Sequence, residues 1–276
     1  MITGATRLAG IIGDPVRHSL SPVLHNTAYE ALGLDWVYLA FEVPNGRTDA
    51  ALDALRAYDL VGLSVTMPHK AAAAAACDVL TDDADALHSA NTVTRLDDGR
   101  LHGDSTDGKG FVRALVEAGH DPTGASVLVL GAGGAARPVI LALARAGTEI
   151  TVTARRPDAA HAAAALTGGA TTPWAERDDA AAVADVVVNA TPLGMGDGRL
   201  PLSAGSLHTG QVVADLVYHP LATPLLDAAR AAGAATVDGL GMLVHQAALQ
   251  VERWSGRPAP VDAMRAAVRA ALPDLG

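Results

Sequence analysis

The sequence predicts an α/β fold of parallel sheets in two domains, and three observations carry that expectation. Short apolar runs alternate with Ala-rich helical stretches along nearly all of the 276 residues, the pattern of strands covered by helices. One run, Ser126-Val127-Leu128-Val129-Leu130, passes straight into the glycine cluster Gly131-Ala132-Gly133-Gly134. The composition also shifts near residues 103–106. Before that point Ser, Thr, Asn and His are unusually dense; after it, Asp121-Pro122-Thr123-Gly124 leads into the apolar strand. With 50% hydrophobic residues, a chain of this length can bury a sizeable core.

The first strand is expected at Leu8–Ile12, followed by a polar loop and a helix over Pro22–Leu32, opened by its proline. Strands at Val37–Val43 and Gly62–Val65 flank a helix at Thr48–Ala57, and a further helix is expected over Pro68–Val79. Helix Thr106–Ala118 precedes strand Ser126–Leu130, helix Ala135–Ala146 and strand Glu149–Thr153. Strands Val186–Asn189 and Val212–Asp215 follow, then helices Thr223–Ala232, Leu240–Trp254 and Val261–Ala271. The alanine runs Ala71–Ala76 and Ala159–Ala165 read as helix packed closely on a sheet, because Ala is the best helix former. No fixed-period repeat is present.

A net charge of -10 and a pI near 5.3 argue against nucleic acid or an anionic membrane surface as partner. The most apolar stretch, Val127 to Ala146, is interrupted by Arg137, Pro138 and Arg145 and does not read as a membrane span. Met1 to Gly10 lacks a charged start followed by an apolar core, so the chain reads as cytoplasmic. Cys77 stands alone, with no disulfide partner and no metal quartet, and reads as a small packed residue. His18 and His25 lack a third ligand at metal spacing, so no metal is expected. Among the 20 basic residues only Lys70 and Lys109 are lysines. Unlike arginine, a lysine can lose its proton in a suitable setting, which singles both out.

The glycine cluster reads G-x-G-x-x-A between a strand and a helix. Gly131 allows the tight turn, Gly133 lets backbone approach a pyrophosphate, and a small third residue lets helix pack on strand. Phosphates then meet free N–H groups at a helix N-terminus. An NAD site would place an acid at the end of the next strand, to bind the ribose 2′-hydroxyl. Here Thr153-Ala154-Arg155-Arg156 stand there instead, and two guanidinium groups suit a 2′-phosphate. NADP is therefore the expected cofactor.

Three segments of the first half are polar and sharply turned. In Gly13–Pro22, Ser19 and Ser21 offer two hydroxyls to an anion or polyol, or cap the helix that Pro22 opens. In Gly62–Lys70, a strand end carries Ser64 and Thr66, and Lys70 falls in the first turn of a helix. Helix-end electrostatics disfavour a cation there, which suits an amine that gives up its proton. The third segment holds Asn91 and then Ser105-Thr106-Asp107, where Asp107 alone reads as a first-turn carboxylate.

Together these segments resemble the shikimate dehydrogenase family over nearly the whole chain. The matching blocks are Gly13–Asn26 with H-S-x-S-P-x-x-H-N, Val65–Lys70, Ala90–Thr92, Thr106–Gly108, Gly131–Arg137, Asn189–Met195, Asp215–Tyr218 and Asp238–Ala247. The resemblance implies a substrate domain at 1–104, completed by 240–276, and a Rossmann-type NADP domain at 105–239. It implies reversible NADP-dependent oxidation of shikimate to 3-dehydroshikimate, in aromatic biosynthesis, by a monomer or homodimer acting on a small molecule. Lys70 and Asp107 fall on the family's catalytic pair. Ser19 and Ser21 fall on the carboxylate-binding positions, and Ser64, Thr66, Asn91, Tyr218 and Gln246 on the other substrate contacts. Gly131, Ala132, Gly133, Gly134, Ala135, Ala154, Arg155, Arg156, Thr191, Leu216 and Gly239 fall on the cofactor side.

Two positions depart from the family pattern. Ser64 and Ser105 replace the usual Asn, so a contact from Ser64 is expected to be longer or water-mediated. Arg156 replaces a common Thr and keeps the NADP reading intact. Whether Lys70 is the base or a hydrogen-bond donor to the substrate oxygen stays open. The alternatives are a quinate/shikimate dehydrogenase using NAD, which Ser at both carboxylate positions and Arg155 disfavour, and a non-catalytic NADP-sensing paralogue, which intact Lys70 and Asp107 disfavour. A glycine-loop methyltransferase would leave the polar loops without a purpose.

Overall fold

The computed structural model describes residues 2–272, and the chain divides into two compact units at Thr106 and at His245. The first unit runs up to Thr106 and resumes at Gln246; the second is Asp107–His245.

The first unit opens with β1 (Arg7–Gly13), α1 (Ser21–Ala31), β2 (Trp36–Glu42), α2 (Thr48–Ala57), β3 (Gly62–Val65) and α3 (Lys70–Ala76). It continues through β4 (Val79–Leu80), α4 (Asp82–Leu87), β5 (Thr92–Arg95) and β6 (Leu101–Asp104). The sheet order is β2-β1-β3-β5-β6-β4. β1 pairs in parallel with β2 and β3, whereas β5 is antiparallel to both β3 and β6. The sheet is therefore mixed. Ile12, Leu63 and Val65 on the strands meet Leu52 and Leu55 of α2 and Ala73 of α3 in the core of this unit.

The helix expected over Pro68–Val79 is shorter, Lys70–Ala76. At its front, His69 N–H donates back to the Thr66 carbonyl in a turn. At its rear, Cys77 is extended (ψ 142°) and Asp78 N–H joins the Leu101 carbonyl, so the chain leaves the helix to pair β4 with β6. Cys77 is half-buried against the core, and burial followed by the Asp78 charge pushes its thiol up to about 11. Such a thiol stays protonated and inert at neutral pH.

The second unit carries α5 (Asp107–Glu117), β7 (Ser126–Leu130), α6 (Ala136–Arg145), β8 (Glu149–Thr153), α7 (Pro157–Ala164), β9 (Ala170–Thr171) and α8 (Arg177–Ala181). After them come β10 (Val186–Asn189), β11 (Val212–Asp215), α9 (Pro224–Ala231), β12 (Ala235–Val237) and the start of α10 (Gly239–Ser255). Its sheet, β12-β11-β10-β7-β8-β9, is parallel at every pairing. The strands are apolar on both faces because both are covered. Val127 and Val129 belong to one core with Val139, Ile140 and Phe111; Leu128 and Leu130 belong to the other with Val213, Leu225 and Leu226. From β7 the chain winds outward to β8 and β9, then returns to β10 on the other side of β7. That reversal marks the crevice where doubly wound sheets bind ligands, beyond the carboxyl ends of the strands.

The rest of α10 and α11 (Val261–Ala271) belong to the first unit, where α11 packs on α1. Among the described residues no helix is long and apolar enough to cross a membrane, and no cluster of three or more His, Cys, Asp or Glu could hold a metal ion.

Candidate active site and nucleotide cleft

In the second unit, a cleft of about 470 Å³ lies at the carboxyl ends of β7, β8 and β10. Of the cofactor residues expected from sequence, Gly131, Ala132, Gly133, Ala154, Arg155, Arg156 and Thr191 line it. Gly131 has φ +112°, and a Cβ there would meet the Ala190 carbonyl oxygen at 2.7 Å, so the turn demands glycine. A Cβ on Gly133 or Gly134 would meet nothing within 4 Å, which leaves bare backbone for a ligand to approach. Arg137 N–H donates to the Gly133 carbonyl, and Ala135 stands at the N-cap of α6, so the loop turns directly into the helix. Arg155 and Arg156 are exposed, and no carboxylate stands among the lining residues. This donor set fits a nucleotide with an extra phosphate.

Leu216 and Gly239 do not line that cleft, but they are placed together: a Cβ on Gly239 would collide with the Leu216 carbonyl. Thr191 is fixed by Asn189, whose Oδ1 accepts both Thr191 Oγ1–H at 2.7 Å and Thr191 N–H at 3.1 Å. Asn189 in turn donates to Asp215 Oδ1 at 2.9 Å, and Thr223 donates to Asp215 Oδ2 at 2.7 Å. Burial raises the Asp215 carboxyl, opposed by these donors and Val217 N–H, so this carboxylate serves to tie the β10 loop to β11. Tyr218, also in the second unit, is half-buried, and burial raises its phenol. The sequence reading missed Trp174 and Arg199, which line the cleft from segments outside the glycine loop.

In the first unit, a continuous hydrogen-bond network joins three of the expected substrate residues, Ser64, Asn91 and Gln246. Tyr38 Oη–H donates to Ser64 Oγ at 2.6 Å, and Ser64 Oγ–H donates to Gln250 Oε1 at 2.6 Å. Gln250 Nε2 donates to Thr92 Oγ1 at 2.9 Å and reaches Gln246 Oε1 at 3.3 Å. Thr92 Oγ1–H then donates to Asn91 Oδ1 at 2.9 Å, and Asn91 Nδ2 donates to Thr106 Oγ1 at 3.0 Å. His25 Nε2 lies 3.1 Å from the same Gln250 Oε1, and its ring stacks on Tyr38 at 4.0 Å. Because Gln250 Oε1 is an acceptor, His25 Nε2 carries the proton. Ser64 is therefore engaged on both sides, by Tyr38 and Gln250. Both of these were missed in the sequence.

Ser19 and Ser21 do not cap α1. The N-cap is Leu20, without a side-chain bond, and Ser19 Oγ instead accepts Ser21 N–H at 3.2 Å, leaving Ser21 as the first helical residue. Thr66 is half-buried just past β3, its methyl packed where a Cβ on Gly13 would sit. Lys70 opens α3 half-buried, and Asp107 opens α5 half-buried in the second unit. Neighbouring His69 is not available for proton transfer. It is 1% exposed, with Nε2 donating to the Val43 carbonyl at 2.8 Å and Nδ1 accepting from Thr48 at 2.9 Å. Lys109 is exposed on α5.

Residues 11–93 match the family model of the shikimate dehydrogenase substrate binding domain, and residues 239–269 that of the shikimate 5′-dehydrogenase C-terminal domain. Residues 126–218 match the model for NADP oxidoreductase, coenzyme F420-dependent. A relative from Methanopyrus kandleri named shikimate dehydrogenase (NADP(+)) is 44% identical over 282 residues, covering 97% of this chain and 96% of its own. A solved shikimate dehydrogenase in complex with NADP+ superposes with a TM-score of 0.93 at 34% identity, covering 99% of this chain and 98% of its own. Another, from Thermus thermophilus in complex with NADP(H) and shikimate, superposes at 0.90 with 38% identity, covering 96% of this chain and 100% of its own.

Proposed function

The chain belongs to the shikimate dehydrogenase family, and from that premise we infer how its own residues divide the work. It is an NADP-dependent oxidoreductase that interconverts shikimate and 3-dehydroshikimate. The first unit is the substrate domain and the second the NADP domain. A cytoplasmic setting and a monomeric or homodimeric state complete this reading.

Oxidising a secondary alcohol breaks a C–H and an O–H bond. When bound, NADP supplies the hydride acceptor. Lys70 handles the hydroxyl proton, and Asp107 orients the amine and stabilises its ammonium form. His69, locked to Val43 and Thr48, leaves Lys70 as the proton-handling group on this segment. Ser19 and Ser21 hold the substrate carboxylate, with Thr66, Asn91, Tyr218 and Gln246 on its hydroxyls. Ser64, held between Tyr38 and Gln250, acts through them to shape the same surface. Gly131 to Ala135 face the pyrophosphate, Ala154, Arg155 and Arg156 the adenosine end, and Thr191, Leu216 and Gly239 the remainder of the cofactor.

The observation that carries the NADP reading is the pair Arg155 and Arg156 lining the same cleft as Gly131 and Gly133, with no carboxylate among the lining residues. Its test is a matrix of initial rates, shikimate and quinate against NADP and NAD. Shikimate with NADP is expected to be the fastest pairing by at least tenfold. A preference for quinate with NAD would overturn the reading. Arg155→Ala is expected to raise the Michaelis constant for NADP about tenfold or more while leaving that for NAD nearly unchanged. Equal losses would remove Arg155 from the 2′-phosphate.

A further inference from the structure

The nucleotide cleft carries a third guanidinium that the glycine-loop pattern does not explain. Arg199 lines it with Arg155 and Arg156 but comes from another segment, the loop after β10 rather than the end of β8. That loop is organised around one carboxylate. Asp197 Oδ1 accepts Gly194 N–H at 2.9 Å and Arg199 N–H at 3.1 Å, while Oδ2 accepts Arg199 Nε at 2.7 Å and Nη2 at 2.6 Å. Gly194, Gly196 and Gly198, with φ of +92°, +74° and +65°, let the chain turn this tightly. The backbone donors and the guanidinium hold the Asp197 carboxyl below its ordinary range, so the pair stays ionised.

The guanidinium is thus pinned through two nitrogens, while its side chain remains 67% exposed at the cleft. Exposure this high gives an ion pair little value for stability. A pre-positioned cation, however, loses less freedom when an anion arrives. A phosphate monoester carries a charge of roughly -1.5 to -2 and three acceptor oxygens, more than one bidentate fork can serve.

We propose that Arg199 is a cofactor-specificity residue whose guanidinium binds the 2′-phosphate of NADP from the β10 side of the cleft, held in place by Asp197. This rests on the assignment of Arg155 to the same phosphate. The pyrophosphate, by contrast, has the glycine-loop N–H groups to receive it.

The test is calorimetric titration at fixed ionic strength with NADP+, NAD+, adenosine 2′,5′-bisphosphate and AMP, in the full chain and without turnover. Arg199→Gln is expected to weaken NADP+ and the bisphosphate about tenfold, and NAD+ and AMP less than about twofold. Arg199→Lys, which keeps the charge but loses the fork, should fall between. Equal weakening of NADP+ and NAD+ would place Arg199 on a part common to both and overturn the proposal. Selective loss in Arg155→Ala but not in Arg199→Gln would overturn it while leaving the NADP reading intact. No selective loss in either variant would overturn both.

Discussion

Lys70→Met is expected to lower kcat for shikimate oxidation by about two to four orders of magnitude, the range that a positioned proton-transfer group contributes. Methionine keeps a straight, unbranched stem, and position 70 is only half-buried at the start of α3, so the fold should survive. Asp107→Asn, which keeps the shape and removes the charge, should lose about two orders on the same logic. NADP affinity should change little in both variants, because the proposed roles of Lys70 and Asp107 are with the hydroxyl proton and not with the cofactor. Turnover at the wild-type rate in either would sink the mechanism.

The nucleotide half was legible because its strands are buried on both faces and read as uninterrupted apolar runs. β7, β8, β10 and β11 have the residue limits expected from sequence. The first half hid more. β5 and β6 form a hairpin across Asp98-Gly99, with Gly99 at φ +83°, but their Thr, Arg and His residues give too little apolar alternation to stand out. β4 and β9 have only two residues each, too short for any period. Ser19, Ser21, Lys70, Asp107 and Gly131 stood out because each sits at a turn or element end, where chemistry shows locally, whereas Tyr218 and the mid-helix Gln246 were named only through the family resemblance. Tyr38 and Gln250 escaped both routes. They matter through bonds to Ser64 from a different strand and a distant helix, and in sequence Gln250 is one polar residue in a helix. Arg199 escaped for a related reason: in a chain with 18 arginines, nothing but the fold distinguishes one that lines a cleft.

The same buried network makes the first unit sensitive to acid. His25 is 0% exposed, and burial, opposed in part by its bond to Gln250, lowers its pKa to about 3 from 6.5. Between those values the unfolded chain binds a proton at His25 and the folded chain does not. Stability must therefore rise with pH across this window and fall on acidification, by up to about 1.4 kcal/mol per pH unit. By pH 4 the loss from this one group is roughly 3 kcal/mol, a large share of the 5–15 kcal/mol typical of a domain. Protonation also breaks the pattern of bonds. A charged ring donates at both nitrogens, so Nδ1 could no longer accept the weak 3.5 Å bond from Tyr29 Oη. Urea unfolding of wild type and His25→Phe at several pH values from 7 to 4.5 measures the effect. Phe keeps a flat ring against Tyr38 and does not titrate, so its stability, though lower at pH 7, should change less with pH by close to one proton's worth. Parallel pH slopes in the two proteins would show that His25 is not held neutral. Taking the difference of slopes also cancels the carboxylates common to both, including Asp215, whose raised pKa acts in the opposite direction.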